Sequence, residues 1–312
     1  MTTGPGGLAV VRAEAGQDVR EWILARRGAL LDTVARRGAV LVRGLGLAAA
    51  SDVARAARPL LGEPVPAYEP FAGRVLEAPG VYSGADWSQE EDLCPHHEQT
   101  FRTSFPRLLA VGCLKAAESG GATLLADGAA VADGLPPPLV ERFAGSGWTL
   151  VRNFGPGYVG IPWEQVYGSP DRGEVERYLL EQGIGYEWGA RGALRTWRTA
   201  DALIEHPLTG RRCWFNQAAF LNGHSMDRDV RRTLVAAYGF DGLPLDTRLG
   251  DGTPISAEWV EEINSAYRDH TFSVLLKEGD LLVIDNIRMA HGREAYSGTR
   301  NIAVTMGDPI FR

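Results

Sequence analysis

The segment Cys94-Pro95-His96-His97-Glu98 holds two of the six histidines of this 312-residue chain and a glutamate beside them. On an extended strand, side chains two positions apart point to the same face, so His96 and Glu98 are expected to converge while His97 points away. One neutral imidazole, one carboxylate and a second imidazole from elsewhere make a facial iron site with open coordination positions. Alone, this spacing is more often an ordinary solvated strand edge.

His291 is the candidate for the second imidazole, because it follows the strongly apolar segment 281–285 (LLVID), where a rigid strand is expected. Arg300 lies nine positions later, beyond the turn-like residues 297–299. Two antiparallel strands joined this way would aim both side chains into one cavity. A planar guanidinium pairs with a carboxylate through two hydrogen bonds, as a dicarboxylate co-substrate would require. Taken separately, a structural histidine and a solvated arginine are the commoner explanations.

The segment Gly120-Gly121-Ala122-Thr123 lies between these two groups in the sequence. Two glycines before a strand predict a turn, and in isolation nothing more. Thr123, at the start of that strand, would supply a hydroxyl beside the carboxylate that Arg300 holds.

Charge and cysteine content exclude several classes of function. The chain carries 32 basic and 39 acidic residues, a net charge of −7, without a basic stripe, which argues against nucleic acid and membrane surfaces as partners. Cys94, Cys113 and Cys213 are too few and too scattered for a disulfide framework, so a reducing cytoplasm is the expected compartment. Neither a leader peptide nor a membrane span is expected from the apolar stretches.

Hydrophobic periodicity predicts a mixed chain whose core is mainly β. A β-sandwich or jelly roll flanked by helices is expected, with 1–312 as a single domain, 1–62 as an N-terminal helix-strand-helix elaboration and 155–192 as an insert that could act as a lid. A hairpin is expected around Thr209-Gly210. The predicted helices are 18–38, 48–62, 172–182, 226–238 and 255–268, and the predicted strands are 39–45, 108–116, 122–127, 147–154, 193–201, 212–217, two within 272–286, and 300–307.

Several sequence blocks, taken together and in order, resemble the taurine dioxygenase-like (TauD/TfdA) family of Fe(II)/2-oxoglutarate oxygenases, and most of all its SyrP-like natural-product amino-acid hydroxylases. The resemblance covers roughly residues 90–310 and implies a double-stranded β-helix that uses Fe(II), 2-oxoglutarate and O2. It implies His96, Glu98 and His291 as iron ligands, with Thr123 and Arg300 at the distal carboxylate of 2-oxoglutarate. The blocks are PHHEQTFRTSFP, ESGGATLLAD, ALRTWR, HPLTGRRCWFNQ, GDGTPI and GDLLVIDNIRMAHGREAYSGTRNIAV.

Two departures from the family pattern bear on the substrate. Many relatives have aspartate where Glu98 stands, although glutamate is usual in this subgroup, and related halogenases have a small residue there, so Glu98 favours oxygenation. Relatives that act on sulfonates carry a second arginine four positions after the co-substrate arginine, where this chain has Val304. Taurine-like substrates are therefore not expected.

The substrate pocket is predicted to include Phe215, Asn216, Gln217 and Arg293, which combine aromatic surface with polar groups suited to an amino-acid-like molecule, free or tethered to a carrier protein. The same residues could equally be ordinary strand and surface positions. Hydroxylation of an unactivated C–H bond is the expected reaction. Desaturation, epoxidation or cyclisation with the same cofactors, or a catalytically silent binding protein on the same fold, are the alternatives.

Two smaller hypotheses concern the surroundings of the ligands. Asp285 or Asn286 is expected to orient a ligating imidazole from the outer sphere. Cys94 beside His96 would also be compatible with a zinc site or a thiol nucleophile, but no second Cys/His pair with zinc-site spacing is present in the sequence.

Overall fold

The structure is a computed structural model that describes residues 2–14 and 16–312. None of the helices in these residues is long and apolar enough to cross a membrane. The α-helices are α1 (Val19–Arg37), α2 (Ala50–Leu61), α3 (Gly128–Gly134), α4 (Pro137–Ser146), α5 (Trp163–Val166), α6 (Arg172–Glu181), α7 (Arg228–Tyr238) and α8 (Ala257–Asp269).

Strands outnumber helices and are mostly short. They are β1 (Thr2–Thr3), β2 (Ala9–Arg12), β3 (Ala39–Leu47), β4 (Leu76–Ala78), β5 (Val81–Ser83), β6 (Leu93–His96), β7 (Ser104–Lys115), β8 (Ser119–Gly120), β9 (Thr123–Asp127), β10 (Trp148–Phe154), β11 (Gly185–Trp188), β12 (Leu194–Ala200), β13 (Leu203–Glu205), β14 (Arg212–Trp214), β15 (Leu245–Leu249), β16 (Thr271–Val274), β17 (Gly279–Asp285), β18 (Met289–Arg293), β19 (Tyr296–Ser297) and β20 (Asn301–Phe311).

The N-terminal part forms the predicted helix-strand-helix unit. α1 begins where the side chain of Asp18 accepts a hydrogen bond from the backbone N–H of Glu21, and it ends at Gly38, whose φ of 79° is left-handed. The second helix, α2, ends at Gly62. Both helices pack their apolar faces on one side of the main sheet.

Two sheets carry the functional region. The main sheet has eight strands in the order β1-β2-β3-β17-β7-β20-β5-β4, and a smaller sheet has the order β16-β9-β18-β6. Every residue of β17, the predicted apolar strand, is buried. Leu281 and Val283 pack against α1 and α2, whereas Leu282 and Ile284 belong to the apolar core shared with the smaller sheet. Burial of such a side chain contributes about 1.5–3 kcal/mol, so β17 is a rigid base for β18, which follows it.

A third sheet has the order β11-β12-β10-β15. Residues 155–192, the predicted insert, contribute α5, α6 and β11 to its edge and pack around their own apolar cluster, which includes Val175 and Leu179. The predicted hairpin is present as β13 and β14, with Gly210 in the turn at a φ of 67°.

The mixed α/β class with a large sheet content is confirmed, while some details differ from expectation. The strand predicted at 212–217 ends at Trp214, because the next residues turn inward and use their polar groups in buried hydrogen bonds. The two strands within 272–286 are present, but β16 pairs with β9 and β17 with β3 and β7, so they lie in different sheets. The final strand continues to Phe311.

Candidate metal centre

The structure brings His96, Glu98 and His291 together. β6 and β18 pair antiparallel, and His96 stands directly opposite His291 in their register. One ligand atom from each of the three side chains lies within 4.8 Å of the others, and Nε2 of His291 is 3.7 Å from Oε1 of Glu98. Two imidazoles and one carboxylate, each from a backbone fixed by sheet pairing or by a buried contact, form a compact set of metal-ligand atoms.

The route by which Glu98 reaches this point differs from the expected one. β6 ends at His96, and Glu98 lies in a turn beyond it, where the following residue, Gln99, has a left-handed φ of 56°. His97 does point away, as predicted. It is fully buried, and its Nδ1 lies 2.6 Å from the carbonyl oxygen of Asn286.

His96 has the protonation state that a divalent metal requires. Its Nδ1 faces the backbone carbonyl oxygen of Cys94 at 2.9 Å and must donate to it, which leaves a lone pair on Nε2. That Nε2 is buried and has no hydrogen-bond partner among residues 2–14 and 16–312. Burial, with a further contribution from nearby His291, lowers the pKa of His96 to about 3, so the imidazole is neutral at physiological pH. A neutral ring with an unpartnered buried nitrogen fits a metal ligand.

Glu98 is ionised, because Arg74 faces it. The Arg74 guanidinium, from the segment between α2 and β4, donates to Oε1 of Glu98, and both side chains are at least nine-tenths buried. Burial alone would raise the pKa of Glu98, but Arg74 and then the two imidazoles outweigh it and hold that pKa below its usual range. No sequence pattern points to Arg74, which lies in a stretch without periodicity.

Asn286 fixes the backbone of Glu98. Its Oδ1 accepts from the N–H of Glu98 at 2.8 Å, and its Nδ2 donates to the carbonyl oxygens of Glu98 and Pro106 at 3.0 and 2.8 Å. The expectation that Asn286 or Asp285 orients a ligating imidazole is therefore wrong. Asn286 holds the backbone of Glu98, and the buried Asp285 accepts from His206 Nε2 at 2.9 Å.

We expect Asn286→Ala to destabilise the protein by about 2–4 kcal/mol, since it leaves buried backbone groups without partners. It should also weaken binding of a divalent metal at the candidate centre about tenfold or more, as outer-sphere substitutions do. Urea unfolding and an anaerobic metal titration measure the two effects. Asn153→Ala is the matched control. The side-chain amide of this buried asparagine donates to the backbone carbonyl oxygens of Asp241 and Leu243, and Asn153 is not one of the candidate metal ligands. Equal metal affinity in the two variants would contradict the role of Asn286.

A cavity of about 700 Å³ opens in front of the three ligands, and both Thr123 and Arg300 line it. The Arg300 guanidinium lies 5.7 Å from the ring centre of Tyr296 and forms no ion pair with a carboxylate in the described part of the chain. Burial, followed by the nearby charge of Arg293, lowers the pKa of Arg300 to about 10. Arg300 thus remains a cation at neutral pH, in surroundings that favour an anionic ligand.

The Gly120-Gly121 pair allows this arrangement and does form a turn. Both residues have left-handed φ values, 66° and 70°. A Cβ on Gly121 would lie 3.2 Å from Cδ of Arg300, and one on Gly120 would lie 2.2 Å from the carbonyl oxygen of Ala295. The glycines therefore provide space for the arginine and for the neighbouring backbone, as well as a change of chain direction.

Of the predicted substrate residues, Arg293 lines the cavity, and Phe215, Asn216 and Gln217 do not. Phe215 is fully buried, with its ring centre 5.1 Å from that of His97. The amides of the other two donate to backbone carbonyl oxygens, Asn216 to Ala202 at 2.9 Å and Gln217 to His97 at 2.8 Å. These three positions support the local fold rather than present groups to the cavity.

Aromatic residues that the sequence did not single out surround His96. The ring of Phe220 stacks on the imidazole with centroids 4.6 Å apart and planes 9° from parallel, and Phe71 meets it edge-on at 5.3 Å. Trp87 lies 6.4 Å from Phe220 and lines the cavity. Three separate loops supply these rings, so no single pattern in the sequence could have predicted them.

Two further expectations concern residues outside this centre. Within the described ranges, no residue of 155–192 lines the 700 Å³ cavity, so a lid role for this segment stays a prediction. The exposed Cys94 meets His96 through its carbonyl oxygen, and its thiol is not part of the metal-ligand cluster found there.

Comparison with known sequences finds similarity over nearly the whole chain. The family model described as "Taurine catabolism dioxygenase TauD, TfdA family" matches residues 3–306. The dapdiamide synthesis protein DdaC from Enterobacter agglomerans is 29% identical over 280 residues, which cover 90% of this chain and 85% of that protein. A clavaminate synthase-like protein from Arabidopsis thaliana is 23% identical over 280 residues, with coverages of 86% and 81%.

Solved structures with the same overall fold include two oxygenases. PvcB from Pseudomonas aeruginosa superposes with a TM-score of 0.54 at 13% identity, covering 96% of this chain and 84% of that one. A second PvcB structure is described as an Fe, alpha-ketoglutarate dependent oxygenase from an isonitrile synthetic pathway. An asparagine oxygenase with bound Fe(II), 2S,3S-3-hydroxyasparagine and succinate has a TM-score of 0.54 at 16% identity, with coverages of 96% and 93%. At these identities the likeness concerns the fold.

Proposed function

The chain belongs to the TauD/TfdA family of dioxygenases and is an iron- and 2-oxoglutarate-dependent oxygenase, and from this premise we propose that His96, Glu98 and His291 hold its Fe(II). The observation that carries this assignment is the convergence of their ligand atoms within 4.8 Å. The buried, unpartnered Nε2 of His96 and the ionised carboxylate of Glu98 support it. A neutral imidazole and an anionic carboxylate can bind the metal without first losing a proton.

Thr123 and Arg300 are proposed to hold the distal carboxylate of 2-oxoglutarate. Both line the cavity that contains the metal ligands, and Arg300 is a half-buried cation without a carboxylate partner in the residues described. A guanidinium and a hydroxyl together supply the donors that one carboxylate accepts.

The proposed reaction is oxidation, in the first place hydroxylation, of an unactivated C–H bond in an amino-acid-like small molecule of a natural-product pathway. A cavity of about 700 Å³ has room for such a molecule beside 2-oxoglutarate. DdaC is named for dapdiamide synthesis, and the asparagine oxygenase structure contains a hydroxylated amino acid. Desaturation, epoxidation and cyclisation would use the same cofactors, and the substrate could be free or carrier-tethered.

Bound iron, with 2-oxoglutarate and O2, supplies the oxidising power for attack on a C–H bond. The protein side chains position the reactants and limit the access of water. His96 keeps its Nδ1–H on the Cys94 carbonyl and so presents only Nε2 to the site. Phe220 stacks on one face of that imidazole, Phe71 meets it edge-on, and Arg74 balances the charge of Glu98.

We also propose that the main and smaller sheets together form a double-stranded β-helix. Their facing side chains share one apolar core, and the proposed iron ligands come from the smaller sheet and the turn after β6. This arrangement would place the site at the open end of the sandwich, where larger ligands can enter.

Addition of Fe(II) and 2-oxoglutarate without O2 tests the function. We expect a metal-to-ligand charge-transfer absorption band, because 2-oxoglutarate would bind the iron as well as Arg300. On admission of air, one member of a panel of L-amino acids should increase succinate release by at least tenfold over the reaction without amino acid. Absence of the band would contradict the proposed site. A band without stimulation by any amino acid, free or presented on a carrier, would contradict the substrate class.

A further inference from the structure

Arg74 and Asp86 both lie at the base of the hairpin formed by β4 and β5, where Asp86 is opposite Gly73, the residue before Arg74. The backbone N–H of Asp86 donates to the carbonyl oxygen of Gly73 at 2.8 Å, and the backbone N–H of Ser83 donates to the carbonyl oxygen of Val75 at 2.8 Å. These bonds extend the hairpin pairing beyond the strands themselves. Both Arg74 and Asp86 line the cavity in front of the metal ligands, so one short structural unit brings a cation and an anion to the same wall.

Arg74 is incompletely satisfied by the protein. Its side chain is 9% exposed, and one end of the guanidinium, Nη2, pairs with Glu98. The other end, Nη1, is buried and has no hydrogen-bond partner in the ranges that the structure describes. A buried N–H group without a partner costs free energy, and an anionic group of a ligand would remove that cost. Glu98 has two carboxylate oxygens and can therefore serve both a metal and Arg74.

The other arginines of the cavity have other contacts, although Nη1 of Arg293, like that of Arg74, is buried without a hydrogen-bond partner in the described residues. Arg300 is assigned to 2-oxoglutarate. Nη2 of Arg293 donates to the carbonyl oxygens of Ser88 and Glu91 at 2.8 and 3.0 Å, so this residue holds the loop beside Trp87. Val304, where sulfonate-binding relatives have arginine, is buried and apolar. Arg74 is the cavity arginine that pairs with a proposed metal ligand, Glu98, so an acidic group bound at its Nη1 would lie beside the metal centre.

We propose that Arg74 binds the α-carboxylate, and Asp86 the α-ammonium group, of a free amino-acid substrate. The inference rests on the proposed function and goes beyond it in choosing between free and tethered substrates. Asp86 is exposed, and its carboxylate has neither an ion pair nor a hydrogen bond within the described residues. A carrier thioester has no free α-carboxylate, so a tethered substrate would lack the group that Arg74 is proposed to bind.

Calorimetric titration of protein loaded with Mn(II) and 2-oxoglutarate, without O2, tests the proposal without turnover. The probes are the L-amino acid that binds most tightly among the proteinogenic twenty, its carboxamide, its N-acetyl derivative and its N-acetylcysteamine thioester. Wild-type protein should prefer the free acid to the carboxamide and the thioester by about 10- to 100-fold, the range of a charge-assisted hydrogen bond. Arg74→Gln should remove this preference, and Arg74→Lys should restore part of it.

Asp86→Asn should weaken binding of the free amino acid. It should leave the affinity for the N-acetyl derivative within about threefold, since that derivative has no positively charged α-ammonium group. Affinity for 2-oxoglutarate should stay within threefold in Asp86→Asn. Arg142→Gln, which removes a surface ion pair with Asp251, is the charge control. The Asp86 variant and the ligand analogues keep the test valid even if Arg74 variants fold poorly.

Equal affinity of the wild type for acid, carboxamide and thioester would overturn the assignment of Arg74. Failure of every free amino acid to bind would overturn it as well. In either case an intact charge-transfer band would leave the proposed iron site standing, whereas loss of the band in the wild type would remove the proposed function itself. The two failures are therefore distinguishable.

Discussion

Glu98→Ala should lower the affinity for Fe(II) by more than the roughly 10- to 100-fold typical of outer-sphere substitutions, because it removes a direct ligand. The charge-transfer band with 2-oxoglutarate should disappear at metal concentrations that saturate the wild type, and succinate release should fall with it. Anaerobic absorption titration measures the first effect, and product analysis the second. An unchanged band in this variant would show that the site assignment is wrong.

Glu98→Ala should also lower the free energy of unfolding of the metal-free protein. Glu98 balances the buried guanidinium of Arg74, and removal of one member of a buried ion pair costs about 3–5 kcal/mol. We expect Glu98→Ala and Glu98→Gln to lose this stability in urea unfolding, whereas Glu98→Asp retains most of it. Glu294→Ala is the control, since its carboxylate bonds Ser273 outside the ligand cluster.

The double variant Glu98→Ala, Arg74→Met separates the two roles of Glu98. It should recover part of the stability, because no unpaired charge remains buried, and it should still fail to bind Fe(II) tightly. Recovery of metal affinity in the double variant would mean that Glu98 acts only through Arg74. Such a result would contradict direct ligation.

The sequence predicts the parts of the fold that local physics determines. β17 is apolar at every position from Leu281 to Ile284 because it is covered on both faces, and this pattern is visible without tertiary information. α1 and α2 have helical periodicity and glycines just beyond their ends. Sheet membership is not local. Nothing in residues 272–286 shows that β16 and β17 lie in different sheets, since pairing partners come from distant segments.

The candidate site likewise contains residues that could be predicted from the sequence and residues that could not. The clustering of His96, Glu98 and His291 could be predicted because histidine is uncommon in this chain and because the order of the three residues resembles a known family. Arg74 could not be predicted, because an arginine in an irregular segment has no pattern that distinguishes it from a solvated one. Phe215 was a natural choice for a pocket, but its neighbours in space, His97 and Phe105, bury it completely.

Arg300→Gln should weaken binding of 2-oxoglutarate by about 100-fold, equivalent to roughly 3 kcal/mol. The substitution removes the cation of a buried charge pair and leaves the distal carboxylate of 2-oxoglutarate unpaired. Thr123→Val should cost less, about 5- to 10-fold, since a neutral hydroxyl contributes one ordinary hydrogen bond. Anaerobic titration of the Fe(II)-loaded protein with 2-oxoglutarate measures both values. Arg142→Gln, on the surface, should leave the affinity unchanged.

Two further measurements test whether Arg300→Gln loses affinity for 2-oxoglutarate because it no longer binds the distal carboxylate. Pyruvate has no such carboxylate, so it should bind the wild type weakly and Arg300→Gln about equally weakly. In contrast to Glu98→Ala, Arg300→Gln should not destabilise the protein without ligand. Burial and the nearby Arg293 lower the pKa of Arg300 to about 10, which means that its charge is unfavourable until an anion binds. If Arg300→Gln loses stability but keeps its preference for 2-oxoglutarate over pyruvate, Arg300 has a structural role and another residue holds the co-substrate.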